Sequence, residues 1–403
     1  MEVRGPVIWM FLMCCIFGHL IVSHKNDLVE AKSFSKSEDL EIEKRLQTIN
    51  KPAVKIIKTI DGEIYGCVDF FKQPAFDHPS MKNHTYHYKM RLIWKEMRER
   101  ETNNTAFGYL WENGVGCPIG TVPMQRVTKD DLLRLDSFGD NHKPCGSWNT
   151  TTYDPNNVVH YNQHRFAVAR TKNIGRRFNG ATMELCITAP KVKPTQFSAS
   201  RLHIQMGRDF LQAGLTVNPV LYKDKQPRTF VYTDSNGNSC YNTNCNVGIV
   251  LIRHDIALGM SLVPVSTRGD WPKYYTKIGL VKERKNGNWW LQMGGNYEPV
   301  NIGFWPGHRF QQSYGNYVEW GGEVYRASLP SPQMGYGYFP IQDKNYDAYI
   351  QHISIRDRYY NIDRNVDYLE DYSDDNRGYQ VIDTRDPIHR AGHIIFYGGP
   401  GNI

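Results

Sequence analysis

Apolar positions at the start of the chain form one nearly unbroken run. It extends from Val7 to Val22 with only weak interruptions such as Gly18 and His19, follows the charged Glu2 and Arg4, and turns polar at Ser23, His24 and Lys25. A charged stretch followed by a short apolar one is the layout of a signal peptide. The run falls short of the roughly 20 apolar residues a membrane span needs. Residues 1–23 are therefore expected to be cleaved, leaving an exported chain with no membrane association.

The next pattern has another period. Ile42, Leu46 and Ile49 recur at i, i+4 and i+7, Ser35 and Glu38 stand as a capping box, and Asn50 and Pro52 close the segment. This predicts a helix over residues 35–50. Short β-like runs follow at 54–57 and 63–70. A second helix is expected at 128–135, where Thr128 precedes Asp130 and Asp131 in the first turn. From Asp136 to Asn157 apolar residues nearly vanish among Asp, Asn, Gly, Ser, Thr and Pro, the composition of an interdomain linker.

Beyond residue 160 no long helical period occurs. Short alternating segments, such as Leu202, Ile204, Met206, then Gly248 to Arg253, then Trp289 to Met293, recur between Gly, Asn and Pro clusters. That predicts an all-β sandwich or barrel. About 380 residues after signal removal exceed one ordinary core, so two domains are expected.

Charge adds little. The net +7 over 403 residues is modest and the basic runs, Arg170 to Arg177 and Lys282 to Lys285, are short, which reads as solvated surface and predicts no nucleic-acid partner. Cysteine usage adds more. Cys14 and Cys15 leave with the signal, and six remain: Cys67, Cys117, Cys145, Cys186, Cys240 and Cys245. An even set in an exported chain suggests three disulfides, with 15 pairings open. CYNTNC, from Cys240 to Cys245, favours a local bridge closing a tight loop. Asn83, Asn103 and Asn149 each begin an N-x-T glycosylation sequon.

Familiar catalytic motifs are absent: the chain has no G-x-S-x-G, H-E-x-x-H or G-x-x-x-x-G-K-[ST]. His160 with His164, and His389 with His393, have H-x-x-x-H spacing. Neither pair has an embedded Glu or an obvious third ligand, so packing histidines are expected and neither metal nor cofactor is. Glu323 is more suggestive. In YVEWGGEVYRA, strand parity sets Tyr317, Glu319, Glu323 and Tyr325 on one face and Val318, Trp320 and Val324 on the other. A carboxylate beside Trp and two glycines is a candidate for a partly desolvated acid with a raised pKa, while the strand pattern alone favours a solvent-facing Glu.

The first half contains NKPAVKIIKTIDGEIYGCVDF from Asn50, QPAFDHPSMKNH from Gln73 and CPIGTVPMQR from Cys117. The second half contains FSASRLHI, QAGLTVNPVLYKD, RTFVYT, CYNTNC, NWWLQ, IGFWP, WGGEV, MGYGYFP and the terminal YGGPG. In these strings the chain resembles the neprosin family of plant secreted proteins. The resemblance implies a mainly β protein: signal peptide 1–23, a small α+β activation domain (propeptide) 24–135, a linker 136–157, and an antiparallel β-sandwich 158–403 of glutamic peptidase type. It also implies endopeptidase activity after proline at acid pH, through two glutamates on facing strands.

The second of these falls on Glu323. The first belongs to a stretch that usually reads Glu-Ala-Gly-Trp, and here that stretch is Gln212, Ala213, Gly214, Leu215. Gln212 keeps a donor for an oxyanion and loses the proton, so Glu323 would serve as base first and acid second. Fungal glutamic peptidases are similar in pairing Gln with Glu. The competing reading is a catalytically inactive binding protein for proline-rich peptides or cell-wall glycans. Trp289, Trp290, Trp305 and Tyr336 are the tentative substrate-binding residues on either reading. The two-domain split suggests Cys67 with Cys117, Cys240 with Cys245, and Cys145 with Cys186. The expected partners are a peptide substrate and the chain's own activation domain, and the expected location is extracellular, cell wall or vacuole.

Overall fold

A computed structural model of the chain describes residues 36–59, 62–82, 116–150, 163–172, 174–294, 299–386 and 392–402. The signal segment, Ser35, Asn83, Asn103, His160 and His389 lie outside the described residues. The chain divides into residues 1–44 and a compact unit of residues 45–403. Helix α1 (Lys36–Ile49) runs across the division. It buries Ile42 and Ile49, as its apolar period predicts.

Within the larger unit, β1 (Ala53–Lys58), β2 (Ile64–Asp69) and β3 (Thr121–Gln125) pair antiparallel as a small sheet. A Cys67–Cys117 disulfide ties β2 to the approach to β3. Helix α2 (Lys129–Asp136) starts on a reciprocal cap: the Thr128 hydroxyl accepts from Asp131 N–H, and the Asp131 carboxylate accepts from Thr128 N–H. Buried polar contacts fasten this N-terminal part to the second half of the chain. The Gln73 side-chain amide donates to Leu251 C=O at 2.9 Å and accepts from Leu251 N–H at 2.8 Å, so it pairs with β10 (Val250–Leu251) as another strand would.

The remainder is a two-sheet antiparallel sandwich. One sheet has the order β17 (Leu369–Ser373), β4 (His164–Thr171), β14 (Tyr317–Tyr325), β6 (Phe197–Met206), β7 (Asp209–Val217), β8 (Arg228–Ser235), β9 (Asn238–Tyr241). The other runs β10, β13 (Val300–Trp305), β12 (Trp289–Gly294), β11 (Tyr275–Lys282), β5 (Gly180–Cys186), β15 (Ala348–Arg356), β19 (Gly392–Gly398), β18 (Gln380–Asp386), with β16 (Ile362–Asp363) beside β15. The core between them follows from period-2 alternation. Val318, Trp320 and Val324 of β14 meet Leu280, Leu291, Ile350 and Ile395 inside. The opposite parity puts Glu319 and Glu323 on the outer face, as the sequence predicts.

Among the described residues two disulfides form, Cys67–Cys117 and Cys240–Cys245. The expected Cys145–Cys186 bridge does not: both thiols are free. Cys186 ends β5 and packs with Tyr349, Ile394 and Phe396, on the outer face of the second sheet. Cys145 lies over the outer face of the first. Two sheets about 10 Å apart separate them, beyond the reach of a disulfide.

Candidate functional site

The outer face of the first sheet is organised in rows across β14, β6 and β7. Strand register aligns Glu319, His203 and Gln212 in one row, Gly321, Arg201 and Gly214 in the next, and Glu323, Ala199 and Thr216 in a third. Rows are about 7 Å apart along the strands. The middle row has a single long side chain, Arg201, between two glycines. A Cβ at either glycine would meet backbone, at 2.1 Å from Ser200 O for Gly214 and 2.3 Å from Ala167 O for Gly321.

Arg201 thereby bridges the outer rows. Its Nη2 lies 2.7 Å from Glu319 Oε2 and its Nε 3.1 Å from Glu323 Oε2. Gln212 Nε2 donates to Glu323 Oε2 at 3.2 Å. Gln212, Arg201, His203, Glu319 and Glu323 have no exposed surface. The cover is the segment at 142–148. Cys145 C=O accepts from Gln212 Nε2 at 2.9 Å and from Arg201 Nη2 at 3.5 Å, while Cys145 N–H donates to Glu323 Oε1 at 3.0 Å. Cys145 is thus held on both sides by the Gln/Glu pair, through the C=O of one peptide unit and the N–H of the unit before it.

The flanks fix that register. Ser147 N–H and hydroxyl both donate to Glu319 Oε1 at 2.9 Å, and Arg170 donates to Ser147 Oγ at 3.0 Å. The Arg170 guanidinium also lies over the Trp148 ring, 4.1 Å from its centroid. Upstream, His142 is buried against the rings of Phe197 and Tyr325. Gly146 is required for closeness: a Cβ there would sit 2.8 Å from His203 Nε2.

His164, from β4, completes the group. Its Nδ1 lies 2.9 Å from Glu323 Oε1, and its Nε2 2.9 Å from Asn141 C=O. Burial pushes the imidazole pKa down, but the adjoining Cys145 and Glu323 more than reverse this, and it stands well above its ordinary value. For Glu323, burial pushes upward, and His164, Arg201 and the Cys145 N–H together outweigh it. The net shift is downward, which corrects the raised pKa of the functional reading. The full burial of Glu323 corrects the solvent-facing Glu that the strand pattern favours, and the two cations are not legible in that pattern. Burial also lowers His203 to about 4. Its neutral ring offers Nδ1 to Gln212 Nε2 at 3.1 Å and Nε2 to Gln205 Oε1 at 3.0 Å. With acceptors at Cys145 O and Glu323 Oε2, the Gln212 amide nitrogen must face them, and its Oε1 is buried without a partner.

Gln212 and Glu323 are therefore brought together. The four aromatic residues are not. Trp289 and Trp305 are fully buried between the sheets, and Trp305 Nε1–H donates to Thr233 Oγ1 at 2.8 Å. Trp290 belongs to β12 of the other sheet and donates to Glu283. Tyr336 lies beside Cys186, 3.6 Å from its sulfur. These residues serve core and far-face packing because the Gln/Glu face belongs to strands that carry none of them. Asn149 has its backbone in the turn Ser147–Thr150.

Sequence reasoning passed over Arg201, Glu319, His164 and the covering segment. Glu319 shared the parity of Glu323, and His164 stood out by its spacing to His160; Glu323 is its partner. The family profile named Neprosin matches residues 194–400, and that of the Neprosin activation peptide matches 56–170. The chain is also similar to Scytalido-glutamic peptidase, solved with a peptide-based transition state analog, at 6% identity over 58% of this chain and 98% of that one, with a TM-score of 0.33. SCP-B, a member of the Eqolisin family of peptidases solved with the tripeptide Ala-Ile-His, is similar at 6% identity, equal coverage and a TM-score of 0.30.

Proposed function

Since this chain belongs to the neprosin family, we propose that it is a secreted glutamic endopeptidase, made latent, in which Gln212 and Glu323 act as the catalytic pair. The observation that supports it is the Cys145 backbone, whose C=O lies on Gln212 and whose N–H lies on Glu323. A substrate peptide takes that place once the segment leaves.

Glu323, ionised, then takes a proton from a water that attacks the carbonyl. Gln212 Nε2 and Arg201 Nη2 donate to the oxyanion. Glu323 returns the proton to the departing nitrogen. The bond from water oxygen to carbon forms first and gives the oxyanion, the C–N bond breaks as that intermediate collapses, and Glu323 ends as it began. In the latent chain Cys145 N–H occupies the oxygen that would activate water.

Cleavage after proline is supported by Pro144, which immediately precedes Cys145 in the bound segment and is buried. The segment sits one residue out of step for it: the carbonyl on Gln212 belongs to Cys145, so the Pro144–Cys145 bond is held away from attack. Export is supported by the disulfides Cys67–Cys117 and Cys240–Cys245, which need an oxidising compartment. Among the described residues no helix is long and apolar enough to cross a membrane.

The test is to secrete the full chain, acidify it, and follow cleavage of proline-containing peptides by mass spectrometry beside Glu323→Gln. Cleavage on the carboxyl side of proline that disappears in Glu323→Gln supports the proposal. Peptide binding with no cleavage, by the unmodified chain and by a chain cut after Trp148, would overturn it in favour of a binding protein.

A further inference from the structure

We propose that Cys145, His164 and Glu323 form a site for a zinc-type divalent cation that fastens the covering segment to the sheet. The thiol sulfur, a ring nitrogen and a carboxylate oxygen all lie within 4.8 Å of one another. Ligands bound to zinc at about 2.0 to 2.3 Å subtend separations inside that limit. The three residues come from the covering segment, β4 and β14, so a shared ion would cross-link them.

The surroundings fit an ion. His164 Nε2 is held by Asn141 C=O at 2.9 Å, the outer contact that directs Nδ1 toward a metal. Glu323 presents Oε1 to His164, while its Oε2 is taken by Arg201 and Gln212. Arg201 adds a cation close by, and Glu319 pairs with it at 2.7 Å. Binding releases the ring proton of His164 and the thiol proton of Cys145. Two positive charges leave as two arrive, so the buried cluster keeps its net charge. Sulfur and imidazole select zinc or cobalt over calcium or magnesium, and water fills the fourth position.

The proposal rests on the reading of residues 142–148 as a cover, and it does not need turnover. The metal-free full chain is titrated with Zn2+ and with Co2+ at neutral pH. One ion per chain is expected, and Co2+ should give the near-ultraviolet thiolate-to-cobalt band. Cys145→Ser should abolish that band and weaken affinity about tenfold or more. His164→Gln should weaken affinity similarly while its circular dichroism shows it folded, and Cys186→Ser should change nothing. No binding by the full chain, or binding whose affinity and spectrum survive Cys145→Ser, would overturn the site. Neither result touches the peptidase reading, which the cleavage assay of Glu323→Gln decides by itself.

Discussion

Gln212 Nε2 stands 3.2 Å from Glu323 Oε2 although the two residues belong to strands that do not touch. Strand β6 runs between β14 and β7, and the pair meets diagonally over Arg201, whose row is otherwise glycine. An amide at this distance leaves Glu323 as the proton carrier of the pair.

Gln212→Glu should therefore change the shape of the pH profile. Two carboxylates this close share a proton, and the pair titrates in two steps whose upper value lies above that of either group alone. The unmodified enzyme is expected to show one acid limb for a carboxylate, and the variant a second ionisation at higher pH. Rates of cleavage of a proline peptide from pH 2 to 8 check this. Superimposable profiles would show that Gln212 and Glu323 are not coupled.

Arg201→Gln should move the acid limb upward. Burial alone would raise the Glu323 pKa, and His164 and Arg201 hold it below the ordinary range. Activity that needs ionised Glu323 thus persists below the usual carboxylate range and is lost as pH falls through the lowered value. Removing the cation at 3.1 Å should bring the limb up by about one to three units. It should also slow turnover through the lost oxyanion contact. A limb that stays in place would mean that Arg201 only supports the fold.

The sandwich was legible because its strands alternate, and β14 was legible in full: inward Val318, Trp320 and Val324 dictate outward Glu319 and Glu323. The helix at 129–136 was legible from Thr128 and its acidic first turn. What escaped lies in register and in long-range contact. Nothing local says that Arg201 aligns with Gly321 and Gly214, or that His164, 159 positions before Glu323, reaches it. The polar stretch from Asp136 reads as a linker because its bonds to buried carboxylates come from backbone N–H groups, at Cys145 and Ser147, which composition does not report. Trp289 and Trp305 misled for the opposite reason: aromatic bulk suits a cleft and a core equally.

Stability should peak in a definite pH window. The Glu323 pKa is depressed in the folded chain, so its contribution is present above the unfolded value of about 4.3 and lost as pH falls through the folded value. The His164 pKa is raised, so its contribution is complete below about 6.5 and lost as pH rises through the folded value. Both are complete together between those limits. The Tm difference between the full chain and Glu323→Gln should be largest near pH 5 to 6. A difference that keeps growing toward pH 3 would exclude the ion pair.

Free thiols give a count. The unprocessed chain after signal removal, denatured without reductant, should titrate two thiols, Cys145 and Cys186, and four more after reduction of the bridges at Cys67–Cys117 and Cys240–Cys245. No free thiol before reduction would restore the Cys145–Cys186 bridge, and with it a different path for the covering segment.

Gly146→Ala should open the cover without touching the Gln/Glu pair. The added methyl would lie 2.8 Å from His203 Nε2 and 3.4 Å from Gln205 Oε1, and His203 cannot yield freely because it holds Gln212 at 3.1 Å. The segment must shift instead. Overpacking of this kind costs about 1–3 kcal/mol, which raises the population of the detached segment by about fivefold to a hundredfold. Cys145 reports it directly: its reaction with a thiol reagent in the native chain should accelerate by that factor, while the buried Cys186 stays slow. Peptide cleavage before any processing should rise in parallel, since the same detachment frees Glu323 Oε1 for water. Faster Cys145 labelling without cleavage would separate the cover from catalysis. An unchanged labelling rate would mean that residues 142–148 do not lie on His203 at all.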